Sequence, residues 1–581
     1  MLIILNIKAM KIFKIIPKLV FMLALLVVSS CKEDLTEINE NPNGVDPNGA
    51  NPNLLLPTVM SGAAKQYLGL GYGRIAGVIQ HTQEDAWKDG FNDYSWNEED
   101  SEWSAWYGFL RNNNLLYKRA VETDSKFHQG VALTMKSFIF GTISDLWGDA
   151  PYLNALKGDA GEMLPAFDSQ EVIYKGVIED LKAASALFAA GGAETYAPGY
   201  DVYYNGDTQK WQKFANTLLL RYYMRISSKL PDVAKAGIEA VYASGIYIKS
   251  PSEDAVMDYI GTASDNSWPN AVAYDVSESN WRRRRPASTL MNNLLANNDP
   301  RLKVWFLPAP VRWVADPTLT TGMDEFIRED GVILTGVKSL TQQELKTRIA
   351  AGHKYTRHFN PTLYKPTRPE QFNGPINTNE YVGIPPGMID PTYYNENPTT
   401  GQQVQNQHAS QLSYTYQGTK GGILKARLAS ASETSFILAE AAQKGWAAGD
   451  AATHYNNAIK QSLQTWGVEG QYDTFIKEKG VAYNGTQAQI LEQKWVAAWT
   501  TSTEAWFDFR RTGFPALVPG IAPASRALPL RFIYSNSELN NNAVSVKGAI
   551  EKLEETNFSG PRKKNSQWSK PWLVQGTGKP W

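Results

Sequence analysis

With 581 residues, 57 Lys and Arg against 58 Asp and Glu, and a net charge of -1, the chain has no sequence-independent pull toward nucleic acid or an anionic membrane surface. Its single cysteine, Cys31, excludes an intrachain disulfide and any multi-cysteine metal site. Eighteen tryptophans and 28 tyrosines are the unusual part of the composition, because flat amphipathic rings serve both large cores and sites that stack sugar faces.

The basic stretch after Lys11, the apolar run Leu19 to Val28 and the small pair Ser29 and Ser30 describe a secretory signal peptide over residues 1–30, with Met10 a second possible start. Ten apolar residues rise only about 15 Å in a helix, roughly half a hydrocarbon core, so a membrane span is disfavoured. Cys31 directly after an apolar-small-small order resembles a bacterial lipobox, whose thiol is acylated and becomes the first mature residue. Lys32, Glu33 and Asp34 match the lysine-plus-acidic signal that sends lipoproteins of Bacteroidetes-type bacteria to the cell surface, with a plain solvated tether as the alternative. Asn39 to Asn53 is rich in Asn, Pro and Gly, which favour turns, so residues 31–53 read as a lipidated tether. Pro and Gly are scattered through the remainder rather than banked into one linker, which favours a single body over 54–581.

The periodic segments are mainly helical. Gly130 to Ile143 is the first. From Asp168 to Phe188, Ile173, Val177, Leu181, Ala184 and Phe188 share one face, with Asp168 as cap and Glu171 as its acidic partner. A helix from Thr208 to Leu230 has Asp207 as cap, Trp211, Phe214, Ala215, Leu218 and Leu219 inward, and Arg221 and Arg225 four apart as partners for carboxylates. Ser432 to Lys444, Ala451 to Gln464 and Gln487 to Thr500 continue the pattern. Helix pairs with short turns suit a tetratricopeptide-like layer, although no clean 34-residue repeat is visible. The scaffold is therefore expected over about 54–250 and 426–515. Between them, about 251–425, Pro, Gly, Asn and Tyr punctuation replaces the helical stripes, and long loops within a compact protein usually carry function.

Most chemical motifs are weak. Arg282 to Arg285 can clamp a carboxylate or acidic sugar, or form a solvated face or partner contact. Glu98, Glu99, Asp100 and Glu102 lack the glycine and alternating spacing of a calcium loop. His353 and His358 lack the glutamate arrangement of a zincin. Gly69, Gly71 and Gly73 read as turn or close-packing glycines, since Arg74 interrupts a dinucleotide fingerprint.

Ile143 to Tyr152, Pro165 to Tyr174, Lys210 to Asn216, Arg221 to Ser227, Asn298 to Leu302, Glu433 to Ala442 and Lys494 to Pro515 together resemble the SusD/RagB family of outer-membrane nutrient-binding lipoproteins, with order and spacing agreeing over nearly the whole mature chain. The Asn-Pro-Asn-rich start is similar to the SusD-like branch. The resemblance implies a mainly α fold, with tetratricopeptide-like helix pairs under a large, irregular, loop-rich ligand face. It implies an outer-membrane receptor, lipid-anchored and facing the exterior, that partners a SusC-like TonB-dependent transporter and captures oligosaccharides or peptides. Catalysis, a cofactor and a metal are not implied.

Family ligand sites draw aromatics from loops after the first helices and from the middle insertion. Here these regions offer Tyr94, Trp96 and Trp103, then Trp268, Trp281, Trp305 and Trp313, with Arg283 as the candidate anion contact. Core packing competes for each ring. Trp96 and Trp281 are the first choices, whereas Trp103, Trp106 and Tyr107 precede Phe109, Leu110 and Leu115 and read as helix-packing residues. Peptide capture, a surface glycosidase with paired carboxylates about 5 to 9.5 Å apart, and a transporter partner without ligand are the alternatives.

Overall fold

The computed structural model describes residues 50–85, 90–98, 102–191, 198–388, 390–399, 406–520 and 527–578. Cys31, the signal peptide and most of the tether lie outside these residues, as do Glu99 and Asp100. Asn51–Trp581 forms one unit by its internal contacts.

Helices dominate. Ahead of the loop-rich stretch come α1 (Pro52–Leu68), α2 (Ser104–Glu122), α3 (Lys126–Trp147), α4 (Gln170–Ala190), α5 (Thr208–Arg225) and α6 (Pro231–Ser244). Within that stretch lies α7 (Gln342–Ala350), and after it α8 (Ala431–Gln443), α9 (Ala451–Thr465), α10 (Gln487–Ala497) and α11 (Ser502–Thr512). Successive helices pack on one another: α2 on α3, α3 on α4, α4 on α5, α5 on α6, and α8 on both α9 and α10. This is the paired, tetratricopeptide-like layer. Glycines permit close contacts within it: a Cβ at Gly130 would strike the Phe188 ring and one at Gly141 would strike Tyr222.

The local signals act as expected at several ends and shift at others. Asp207 caps α5 by accepting from the Lys210 N–H at 3.0 Å. The cap of α4 is Ser169, whose hydroxyl accepts from Val172, while the Asp168 carboxylate accepts from Tyr152 and Leu153 on the preceding turn. The helix expected to reach Leu230 stops at Arg225, because Pro231 occupies the first turn of α6 and Leu230 before it takes φ -130° and ψ 64°. Trp103 and Trp106 are buried, as helix-packing residues should be.

The stretch between α6 and α8 is irregular but contains short strands that sequence periodicity did not show, one of them paired with a strand between α1 and α2. β1 (Thr82–Glu84) pairs with β3 (Arg284–Pro286), β2 (Ala255–Asp258) with β10 (Lys425–Ala429), and β4 (Phe306–Leu307) with β9 (Gln411–Leu412). A four-stranded sheet has the order β5 (Val311–Ala315), β8 (Tyr355–Phe359), β6 (Arg328–Glu329) and β7 (Val332–Ile333). Its parallel β5/β8 pair covers a small satellite core of Val311, Ile327, Leu345 and Tyr355.

A buried ionic network joins the two helical segments. Arg221 grips Glu433 with two bonds of 2.7 Å and lies 3.6 Å from Glu504. Arg225 pairs with Glu504 and, at 3.2 Å, with Asp145, while Arg510 donates to the Asp145 carbonyl at 2.7 Å. Tyr67 and Tyr174 donate to Glu504 and Asp145 at 2.6 and 2.7 Å. Burial alone raises the Glu504 carboxyl, but Arg221 and Arg225 hold it below its ordinary range. Nearby, Arg511 clamps Glu440 with bonds of 2.6 and 2.7 Å, and Lys494 pairs with Asp508 at 2.7 Å. Both arginines expected to meet carboxylates therefore do so.

Removing one partner from such a network leaves an unpaired buried charge, which costs about 3–5 kcal/mol. Glu504→Ala should lower unfolding free energy by that amount, measured by urea denaturation. Asp254 behaves oppositely. Its carboxylate accepts from the Ala431 N–H at 2.8 Å, and burial raises its pKa from 3.8 to about 7. A carboxyl raised in this way favours the fold when protonated, so its contribution falls as pH rises from about 4 to about 7. Asp254→Asn should therefore gain on the natural protein across that window by about 1–4 kcal/mol, read as the difference between two urea midpoint series.

Candidate functional site

The loop-rich face is organised by the β1/β3 ribbon, in which Gln83 pairs with Arg285 and Glu84 with Arg284. Arg285 is fully buried, 3.0 Å from the Asp85 carboxylate, and donates to the Ser410 carbonyl at 3.2 Å. The same carboxylate accepts from the Asn406 N–H at 2.8 Å, and Thr392 donates to the Asp85 carbonyl at 2.9 Å. Burial pushes the Asp85 carboxyl above its ordinary range, against the pull of Arg285. Ile384 donates to Pro286 at 2.9 Å, and Gln80 donates to the Val518 carbonyl at 2.6 Å. Segments 80–85, 283–286, 390–397 and 406–410 thus meet at one ion pair, with Ile384 bonded to the ribbon at Pro286 and Val518 to Gln80.

This geometry corrects the solvated-face reading of the arginine run. Arg284 lies over the Tyr72 ring at 4.6 Å and is buried, as is Arg285, so neither is available to an anion. Arg283 retains 30% of its side-chain exposure and lies 3.6 Å from Glu84. Glu98 is held by Arg562 at 2.7 Å, as an ion pair rather than part of a calcium loop. Gly71 packs against Thr500 and Thr503, so its role is close packing.

The aromatic expectations need the same correction. Tyr94, Trp96, Trp268, Trp281, Trp305 and Trp313 are each at most 2% exposed. Trp96 lies among Phe91, Trp506 and Phe532; Trp268 among Tyr72, Tyr259 and Tyr416; Trp305 against Trp466 and Trp499. Trp313 stacks on His408 at 4.8 Å and donates to the Asn395 carbonyl at 2.8 Å. In this conformation these rings form the floor under the loops and present no face to a ligand. The physical reason is size: a large apolar ring gains most by complete burial, and the loop layer is thick enough to bury it.

What stands above that floor is partly exposed. Tyr414 stacks on Trp281 at 5.7 Å and 24°, with Lys346 5.0 Å from its ring centre. Around it, Lys346 donates to Gln417 at 2.9 Å, and Glu278 faces Gln417 at 3.5 Å. On another loop, Arg368 lies 3.8 Å from the Tyr393 ring centre. Half-buried tyrosines flanked by amide, ammonium and carboxylate groups can stack on a sugar face and hydrogen-bond its hydroxyls. Sequence reasoning missed both. In each case the neighbouring tyrosine, Tyr416 or Tyr394, is the buried one, and nothing in the local pattern separates the two.

Larger hollows lie on the helical side. One of about 440 Å³ is lined by Tyr117, Lys136, Phe140, Tyr152 and Asp180, and another of about 410 Å³ by Trp103, Tyr107, Met163 and Leu164. A small one of about 30 Å³ beside Arg221, Glu433 and Glu504 has room for about one water molecule.

The described residues form a helical scaffold under a broad loop face, and no helix among them is long and apolar enough to cross a membrane. A family model, SusD-like_2, described as starch-binding and associating with the outer membrane, matches residues 48–317 and 366–535. The chain belongs to this SusD-like family. No curated protein matches the sequence. Among solved structures, a SusD homologue from Bacteroides fragilis is 18% identical with a TM-score of 0.66, over 90% of this chain and 100% of that one. A chitin-binding protein is 23% identical with a TM-score of 0.66, over 90% and 100%. A SusD-like protein from Bacteroides thetaiotaomicron is 21% identical with a TM-score of 0.64, over 90% and 98%.

Because four segments meet at Asp85 and Arg285, Asp85→Ala should loosen the loop face before the scaffold. Limited proteolysis should cut within 390–399 or 406–410 faster than in the natural protein, with the thermal midpoint reduced as expected for the loss of about 3–5 kcal/mol that an unpaired buried charge costs.

Proposed function

We propose that the protein is a lipid-anchored receptor on the cell exterior that binds nutrient oligosaccharides and delivers them to a SusC-like TonB-dependent transporter. The observation that carries this reading is the match to an outer-membrane, starch-binding family across both the helical scaffold and much of the loop face. Cys31 supplies the anchor. A single acyl chain holds a membrane only marginally, so several chains on that residue are required. The loop face supplies the ligand surface, with Tyr414 over Trp281 and Tyr393 beside Arg368 as its partly exposed rings.

The burial of Arg284 and Arg285 weakens peptide capture, since the guanidinium cluster that favoured it is committed within the fold. A glycosidase gains nothing from Glu433 and Glu504, because both are paired with arginines beside a hollow of about 30 Å³, too small for a sugar ring. The protein acts as a binder, without catalysis or cofactor.

Calorimetric titration of a soluble form beginning at Lys32 against α-glucans, chitin-type oligosaccharides and short peptides tests the reading. The chitin-type panel follows from the chitin-binding neighbour. Saturable heat with one glycan class is expected, and Tyr414→Ala should weaken it about fivefold, or ~1 kcal/mol, by loss of one stacked ring. Heat from peptides alone would move the assignment to peptide uptake.

A further inference from the structure

We propose that Glu329, Asp330 and His353 form a surface site for one divalent transition-metal ion of the zinc class. The inference is independent of the glycan reading. β6 and β7 are joined by the two-residue turn Asp330-Gly331, both residues with positive φ of 50° and 89°, which is the tight hairpin turn favoured by an Asp-Gly pair. β8 pairs with β6 on the other side, placing Tyr355 opposite Glu329 and His353 beside the turn. Three elements thereby bring an imidazole and two carboxylates together, with one donor atom from each within 4.8 Å of the others.

The imidazole and carboxylates already meet in a hydrogen bond between His353 and Asp330, which a metal ion would replace by taking the proton's place on Nδ1. His353 Nδ1 is 2.8 Å from Asp330 Oδ2 and 3.9 Å from Glu329 Oε1. Donors bound at about 2.0–2.2 Å to a common ion stand roughly 3.0–3.5 Å apart, so small side-chain rotations suffice. The second oxygen of each carboxylate is already held from behind. Asp330 Oδ1 accepts from the Lys354 N–H at 3.0 Å, and Glu329 Oε2 accepts from Tyr355 and Arg348. Outer bonds of this kind orient metal ligands and leave Oε1, Oδ2 and Nδ1 as the inner atoms. The charge of Arg348 opposes a cation, but it sits on the outer oxygen and offsets one of two negative charges.

A mixed nitrogen and oxygen set favours zinc-class ions over calcium or magnesium, which prefer oxygen alone. Three protein donors leave at least one coordination position to solvent. Histidine spacing in the sequence could not show this site, because the partners of His353 lie 23 residues away on the hairpin and not at His358. His358 pairs instead with Asp316 at 3.0 Å.

The test is titration of the full-length protein in detergent, prepared without a polyhistidine tag, with Zn²⁺, Co²⁺ and Ca²⁺. One equivalent of Zn²⁺ should bind, and Co²⁺ should give a visible ligand-field spectrum. His353→Ala and Asp330→Asn should each weaken Zn²⁺ by more than tenfold, and Tyr355→Phe by about tenfold, within the usual outer-shell range of 10–100-fold. His358→Ala should leave binding unchanged, and circular dichroism would establish that each variant is folded. Absence of Zn²⁺ binding, equal binding by folded His353→Ala and Asp330→Asn, loss in His358→Ala, or preference for Ca²⁺ would each overturn the proposal.

Discussion

The structure depends on charges that cannot be left alone. Asp145, Arg221, Arg225, Glu433, Glu504 and Arg510 are drawn from α3, α5, α8 and α11 and lie in or against the main core. Individually, each is costly to remove from water; together, with Tyr67 and Tyr174 donating from α1 and α4, they neutralise one another by pairing. Apolar stripes alone would let the helix pairs slide. A bidentate guanidinium constrains both the distance and the rotation of the helices it joins.

On this rigid layer the loop face can be irregular without being loose. Its indoles are driven under the surface and its ribbon is centred on Asp85 and Arg285, so the loops are anchored from below and from within. The rings left half open, Tyr414 and Tyr393, rest on or beside groups that are themselves fixed. Pre-set rings lose little freedom when a ligand arrives, and that favours binding without any new contact.

The helical scaffold was legible in the sequence because apolar periodicity and caps act locally. Asp207 capped its helix as read, and Arg221 and Arg225 met carboxylates, since an arginine on the buried face of a helix has few other options. The short strands were not legible: two to five residues are too few to establish a period. The site residues were hardest. Composition identifies a tryptophan as useful but not which side of a loop layer it will occupy, and the thickness of that layer is a tertiary fact. For the same reason Arg282 to Arg285 read as solvated. The acidic partners of Arg284 and Arg285 lie about two hundred residues upstream, at Glu84 and Asp85.

The joining of early and late helices also bears on the order in which the chain can become native. Asp145 emerges long before Arg510, which reaches its backbone carbonyl across 365 residues. Phe532 then donates to Leu146, and Leu573 to Gln170, so the last segment closes over helices made first. Helix pairs can assemble locally as they appear, but their charged centre stays open to water until nearly the whole chain is present. Such long-range closure is intrinsically slow. A chain built this way commits to its full shape only once its C-terminal segment is in place.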